Sequence, residues 1–413
     1  MSQTLAHTLP DTKQTPWQLA AIQLTGVTSL PVLTTSILIY QMSNLLSAMI
    51  TLLIGNALLW VIRLGIVAMS FKKRESTLDI ALKYLGRRGG YFIAVILLVA
   101  TLAWFIAQTT VASAALDLLV PLPEGPEINR FIQISVGLGI ISTLFCMNGI
   151  VILRRLCTIS LPILLLAFLG VIIFAPTDLP AATSNGLTLA GLPLVLGTNL
   201  GVTADLPTFF RHAKSWKASI HALTWIQVVS LVLGVAGLYL GTILEPWIGV
   251  KTTEAATLFH PGLRVSLVTL IFVSAICANV ANVYSASVGW ELLAPKSLVG
   301  RKEYLILGLG LTTLFILLAN VFSMDFLLDT TDSALVNLCV VLIVGYLISL
   351  YQKREPRALC NTYFVAWFIA TAINILQASD VFLTTLNPLL TSTAIILVVV
   401  ALHAIYPKAL KSK

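Results

Sequence analysis

Apolar runs of about 20 residues recur along the whole chain, separated by short charged breaks, and few folds accommodate that repetition. Each run is long enough for a helix to cross the hydrocarbon core of a bilayer. Twelve such spans are expected, at 18–40, 44–69, 91–120, 131–150, 156–175, 190–211, 219–241, 264–290, 303–321, 333–351, 360–378 and 386–406. Composition agrees with this reading: 58% of the residues are hydrophobic and 10% are charged, against about 25% charged in soluble domains. So few polar residues cannot cover a water-soluble globule of 413 residues. A soluble enzyme, a nucleic-acid binder and a disordered scaffold are thereby excluded. The expected fold is an all-α integral membrane protein of twelve transmembrane helices. The first run follows a polar leader, residues 1–17, and is too long for a signal-peptide core, so it reads as a retained helix.

Charge sets the orientation. With the N-terminus in the cytoplasm, Arg130, Lys251 and Arg264 fall on the outer side and Arg63 within span 2. The other 21 of the 25 basic residues fall on the inner side. That bias is the positive-inside pattern, and it accounts for the net charge of +8 without nucleic acid. Both termini are expected on the cytoplasmic face of the cytoplasmic membrane. Arg63 lies near the inner end of its span, where a long side chain snorkels to the interface. The outer loops carry acids instead, among them Glu124, Glu127, Glu245, Asp329 and Asp332. The longest outer connection, 242–263, is expected to hold a short helix over the mouth. No loop is long enough for a soluble domain, so residues 1–413 read as one transmembrane domain.

Transport is the leading class. No GxxxxGK[ST] phosphate loop occurs, which favours secondary transport over ATP-driven pumping. A receptor or sensor is expected to carry an appended soluble domain. The five histidines (His7, His212, His221, His260, His403) show no metal-ligand spacing, which argues against a membrane enzyme. The five cysteines (Cys146, Cys157, Cys277, Cys339, Cys360) form no CxxC pair and read as small core residues. No bound cofactor is expected beyond a coupling ion; the partners are the bilayer and a small-molecule substrate.

Transporter sites are often built where two symmetry-related helices break near the midplane. Span 1 carries Gly26-Val27-Thr28-Ser29-Leu30-Pro31 and span 6 carries Gly197-Thr198-Asn199-Leu200-Gly201, then Pro207. Proline removes an amide donor and glycine weakens a helix interior. The two spans are five apart, the offset of two five-helix inverted repeats, 18–175 and 190–351, followed by two further helices, 360–406. Close helix packing is the competing reason for such glycines.

Polar groups at depth mark candidate sites. Thr101, Trp104 and Gln108 of span 3 share one helical face. An indole far from the interfacial belt, next to an amide, suits a flat hydrogen-bonding ligand; simple packing is the alternative. Asn279 and Asn282 of span 8 share a face that must turn inward. Asp205, near the inner end of span 6, is expected to partner Arg211 or Lys214 as a structural or gating pair. No carboxylate falls clearly at mid-depth.

The stretch Thr203-Ala204-Asp205 followed by Arg211-His212-Ala213-Lys214 resembles the corresponding segment of the cytosine permeases, members of the nucleobase–cation symporter family. Asn279 followed by Tyr284 and Gly289, and Trp104 of span 3, are similar to that family too. The resemblance implies the five-plus-five inverted-repeat fold with discontinuous helices 1 and 6, and import of cytosine or a related heterocycle. It implies a substrate pocket of Leu30, Thr101, Trp104, Gln108, Thr198, Asn199 and Asn279. It places a sodium site at Gly26, Ser29, Ser274, Cys277 and Ala278. The chain departs from the family in three places. Cys277 and Ala278 stand where the family has hydroxyls. Thr101 replaces a glutamine. The segment from Gly197 to Asp205 is shorter and lacks an aromatic residue. The coupling ion is therefore sodium or a proton, and an amino-acid permease on the same fold is the rival reading.

Overall fold

The computed structural model describes residues 13–27, 30–120, 127–147, 149–174, 187–244, 260–293, 300–318, 324–352, 359–379 and 387–405. These form fourteen helices: α1 (Pro16–Val27), α2 (Leu30–Gln41), α3 (Leu45–Phe71), α4 (Thr77–Leu119), α5 (Glu127–Cys146), α6 (Ile150–Phe174), α7 (Leu192–Ala204), α8 (Leu206–Phe210), α9 (Trp216–Leu244), α10 (Pro261–Leu293), α11 (Arg301–Leu318), α12 (Met324–Gln352), α13 (Cys360–Ala378) and α14 (Pro388–Ile405). Six of them, α3, α4, α6, α9, α10 and α12, are long and apolar enough to cross a membrane; shorter apolar stretches lie in α5, α7 and α14. The connection 242–263, expected to hold a short helix over the mouth, lies for residues 245–259 outside the described residues.

Local chemistry explains several helix ends. Asn44 Oδ1 accepts from the Ser47 amide at 2.8 Å and starts α3. Ser76 and Asp79 satisfy each other's amides at the start of α4, a reciprocal cap. Gly86 then takes φ +72°, a left-handed conformation open to glycine, and bends the first turns of α4 away from its long spanning part.

The core is built on α10, which packs against α4 and α6. Its buried residues include a run of small ones, Ser274, Ala275, Ala278, Ala286, Ser287 and Gly289, among larger ones such as Leu270, Ile271 and Tyr284. At Gly289 the helix meets the backbone of α4 closely: an added Cβ would lie 2.9 Å from the Ala94 carbonyl oxygen. Lipid offers helices no hydrophobic drive to associate, so close backbone packing carries more of the association. Large apolar side chains such as Leu53, Ile159, Leu166 and Leu317 point outward, as a bilayer permits.

The two candidate breaks come out differently. Helix α1 ends at Val27 and α2 begins at Leu30, just before Pro31; Thr28 and Ser29 lie outside the described residues. Helix α7 stays wound through Gly197–Gly201, contrary to the expectation of a break there. The interruption comes instead at Asp205 (φ −94°, ψ 0°), before the short α8. Proline decides its position. A continuous helix would drive the Pro207 ring against the Thr203 carbonyl and leave that carbonyl without a donor. Glycine lowers helix propensity by only about 1 kcal/mol and keeps its N–H, so packing overrides it.

The segment before α1 is tied to the connection between α8 and α9. Gln14 forms a parallel bridge with Ala213: its amide donates to the His212 carbonyl at 2.8 Å, and its carbonyl accepts from Lys214 at 3.0 Å. His212 shares a 3.0 Å hydrogen bond with the Tyr284 hydroxyl of α10. Burial first, then the nearby Arg211, Arg74 and Arg154, push the His212 pKa down to about 3. The ring is therefore neutral at physiological pH.

Gly289→Val is expected to destabilise the protein by about 1–3 kcal/mol, because the obstacle is the α4 backbone and cannot rotate away. Thermal unfolding in detergent micelles measures it, with Gly310→Val as the control, since an added Cβ at Gly310 meets nothing within 4 Å.

Candidate functional site

The site begins on α4. Trp104 is half-buried, and its indole Nε1 donates to Asp332 Oδ1 of α12 at 2.8 Å. This corrects the placement of Asp332 in an outer loop and the expectation of no carboxylate at depth. Helix α12 starts at Met324, well before the apolar run, so Asp332 sits eight residues, ~12 Å, inside it. The apolar run begins only after Asp332, which hid the residue. The signal was the spacing of Asp325, Asp329 and Asp332, four and three apart, a helical stripe and not a loop pattern. Gly201 of α7 lies alongside: a Cβ there would sit 3.8 Å from Asp332 Oδ1.

Among the buried polar atoms with no hydrogen-bond partner within the described residues are Gln108 Oε1, one helical turn from Trp104 on α4, and Asn279 Oδ1 and Asn282 Nδ2 on α10. Asn279 is 0% exposed, and its Nδ2 donates to Thr109 Oγ1 at 2.9 Å, which joins α10 to α4. A buried amide oxygen without a donor costs about 1–3 kcal/mol. Such groups persist where water or a ligand completes them. Open space flanks both candidate helices, since a Cβ added at Gly26 or Gly197 would meet nothing within 4 Å.

Other candidates are already engaged. The Thr101 hydroxyl donates to the Leu97 and Leu98 carbonyls of its own helix, and the Thr198 hydroxyl to Leu194 and Val195. Leu30 opens α2. Asn199 meets Arg63, which does not snorkel. Arg63 is 4% exposed, and its guanidinium donates to Thr203 Oγ1 (3.1 Å), Gln227 Oε1 (2.8 Å) and Asn199 Oδ1 (2.9 Å). Gln227 in turn donates to the Asn56 carbonyl at 3.1 Å. One planar fork thus pins α3 to α7 and α9. Its acceptors lie far apart in the chain, so no local pattern pointed to the arrangement.

At the expected sodium site, Ser29 lies outside the described residues. The Ser274 hydroxyl donates to the Ile271 carbonyl at 3.2 Å. Cys277 faces Cys157 of α6 within hydrogen-bonding reach, with Thr25 and Ser160 close by. Thr25 Oγ1 lies 3.3 Å from Cys157 Sγ. Thiols and the Ala278 methyl suit a sodium ion poorly, because hard cations take oxygen ligands.

Asp205 has other partners than Arg211. Its carboxylate accepts from Thr77 Oγ1 (2.9 Å), from Thr208 Oγ1 (2.7 Å) and from the Ser285 hydroxyl. It thereby joins the α7–α8 interruption to the starts of α4 and α8 and to α10. Arg211 instead reaches Tyr284 and His212.

Arg63→Lys is expected to cost about 2 kcal/mol, because one ammonium cannot reach three divergent acceptors, and Arg63→Ala about 3–5 kcal/mol. Unfolding midpoints in micelles rank the two variants.

No family model matches the sequence, and no curated protein matches it. Solved structures do. The chain is similar to Mhp1, a nucleobase-cation-symport-1 family transporter, in a closed conformation with bromovinylhydantoin bound: TM-score 0.65, 13% identity, 95% of this chain and 93% of that one. The inward-facing conformation of Mhp1 matches at TM-score 0.66 and 16% identity, over 95% of this chain and 91% of that one. A sodium-coupled sialic acid symporter in a substrate-bound outward-open state matches at TM-score 0.62 and 12% identity, over 91% and 92%. At these identities the shared property is the fold: the chain has the all-helical membrane fold of these transporters.

Proposed function

We propose that the chain is a secondary transporter that imports a nucleobase or related small nitrogen heterocycle, cytosine-like, across the cytoplasmic membrane by cation-coupled symport. In this reading it belongs with the nucleobase–cation symporters. It has twelve spans in two inverted five-helix repeats plus two, with both termini cytoplasmic. The observation that carries it is the set Trp104, Gln108 and Asn279: an indole and a buried amide oxygen one turn apart on α4, and a second buried amide oxygen on α10 whose side chain is tied to α4 through Thr109, both oxygens without a donor among the described residues. A heterocycle stacked on the indole would bring N–H groups to those oxygens. The separation of α1, which ends at Val27, from α2, which begins at Leu30, is a second feature in keeping with this reading. Ligand contacts that differ between states drive alternating access; the solved neighbours appear in closed, inward-facing and outward-open conformations.

An amino-acid permease is the second reading, and Asp332 favours it, since a carboxylate beside the site could pair with an ammonium group. Uptake of labelled cytosine, uracil, purines and amino acids by cells expressing the protein separates the two. Nucleobase uptake, competed by unlabelled base and not by amino acids, is expected. Amino-acid accumulation with no nucleobase uptake or competition overturns the reading.

Trp104→Ala is expected to weaken binding about tenfold, and Asn279→Ala by a similar factor, from lost stacking and a lost hydrogen bond worth about 1–1.5 kcal/mol each. Ligand-induced thermal shifts of the purified variants measure both. A Trp104→Ala protein of undiminished affinity would leave the indole a packing group.

A further inference from the structure

Carboxylates of the described helices are accommodated in different ways, and Asp117, Asp205 and Asp332 show the contrast. Asp117 pairs with Arg130 at the outer end of α4. Asp205 accepts from three hydroxyls. Asp332 has one hydrogen-bond partner among the described residues, the Trp104 indole. No described cation faces it. The spanning part of α4 has no charged residue between Arg88 and Asp117, and α7 and α13 have none. On α14 the one titratable group is His403, near its end. Arg63 of α3 is held by Asn199, Thr203 and Gln227. On α12 itself the nearest charged neighbour is Asp329, a like charge. A carboxylate in such a place takes a proton, a cation or a cationic ligand, and intramembrane acids of this kind mark ion pathways.

At the sodium position implied by the resemblance, Cys277 and Ala278 stand where the family has hydroxyls, Cys277 faces Cys157, and the Ser274 hydroxyl is turned to the Ile271 carbonyl. No cluster of three or more His, Cys, Asp or Glu residues suited to a metal ion occurs among the described residues.

We propose that Asp332 is the coupling site of this transporter and that the ion it takes is a proton. The proposal rests on the reading of the chain as a cation-coupled symporter. Ionised, Asp332 accepts a charge-assisted hydrogen bond from Trp104 and holds the indole against α12. From the outer side, a proton adds to a carboxylate oxygen and forms an O–H bond. The charge is lost, the indole bond weakens, and Trp104 is free to stack on substrate. On the inner side the O–H bond breaks and the proton leaves to water. Gly201 lets α7 pass beside the same carboxylate, so the charge is also felt by the helix that ends at Asp205.

Two measurements test it. The first needs no substrate: intrinsic fluorescence of the full chain in sodium-free detergent solution, from about pH 5 to about pH 9. The chain has eight tryptophans, and the step from Trp104 is expected in the native protein and absent from Asp332→Asn and Trp104→Phe. No step, a step that survives in Asp332→Asn, or a step displaced by added sodium overturns the proposal. The second is cytosine uptake by proteoliposomes in sodium-free buffer. An inward proton gradient is expected to drive accumulation of about tenfold per pH unit for one proton per substrate. Asp332→Asn is expected to lose that accumulation and keep counterflow of preloaded substrate. Loss of counterflow as well makes Asp332 a substrate anchor and overturns the proton role. The fluorescence step decides Asp332 whatever the substrate, and cytosine movement decides the reading of function.

Discussion

Hydrocarbon supplies no water to a peptide group, so every backbone N–H and C=O at membrane depth must find a partner inside the protein. The rest of this structure depends on that constraint. It favours helix for the long apolar stretches of the described chain, and it confines interruptions to places enclosed by other helices. The interruption at Asp205 is such a place: its carboxylate is held by Thr77, Thr208 and Ser285, drawn from three helices. A helix end in lipid would have no such company.

Side chains answer to the same rule. Arg63 is buried because three oxygens from α7 and α9 meet its donors, and the chain ties those helices together through it. Thr101 and Thr198 return their hydroxyls to their own helices. The buried amide atoms of Gln108, Asn279 and Asn282 are among those left without a partner in the described residues, and Trp104, one turn from Gln108, meets Asp332. A polar group left incomplete where most are completed is the structural mark of a place meant for something else. The α4–α10 contact, drawn close by Gly289, sets the spacing of that place.

Much of this was legible in the residues. The apolar runs place the helices, since length and hydropathy alone decide whether a segment is stable in lipid. The three-residue and four-residue spacing of Thr101, Trp104 and Gln108 puts them on one face of α4. Other readings erred where sequence weighs local propensity and the fold weighs neighbours. The glycines of α7 do not break it, because α3 and α12 pack on it and Pro207 sets the stop instead. Asp205 goes to hydroxyls and not to the arginine six residues on, because the hydroxyls arrive from α4, α8 and α10.

What the sequence determines by itself is membership of the membrane class, the approximate course of each helix and the residues rich enough in chemistry to matter, because all of these follow from one-dimensional properties: hydrophobicity over a window, periodicity and the location of proline. Tertiary structure alone decides which of those residues meet. Trp104 and Asp332 are 228 positions apart in the chain, and Arg63 and Gln227 are 164 apart. Such pairings depend on the relative height and rotation of packed helices, and these follow from summed contacts along their whole length, such as the backbone approach at Gly289, rather than from any local run of residues.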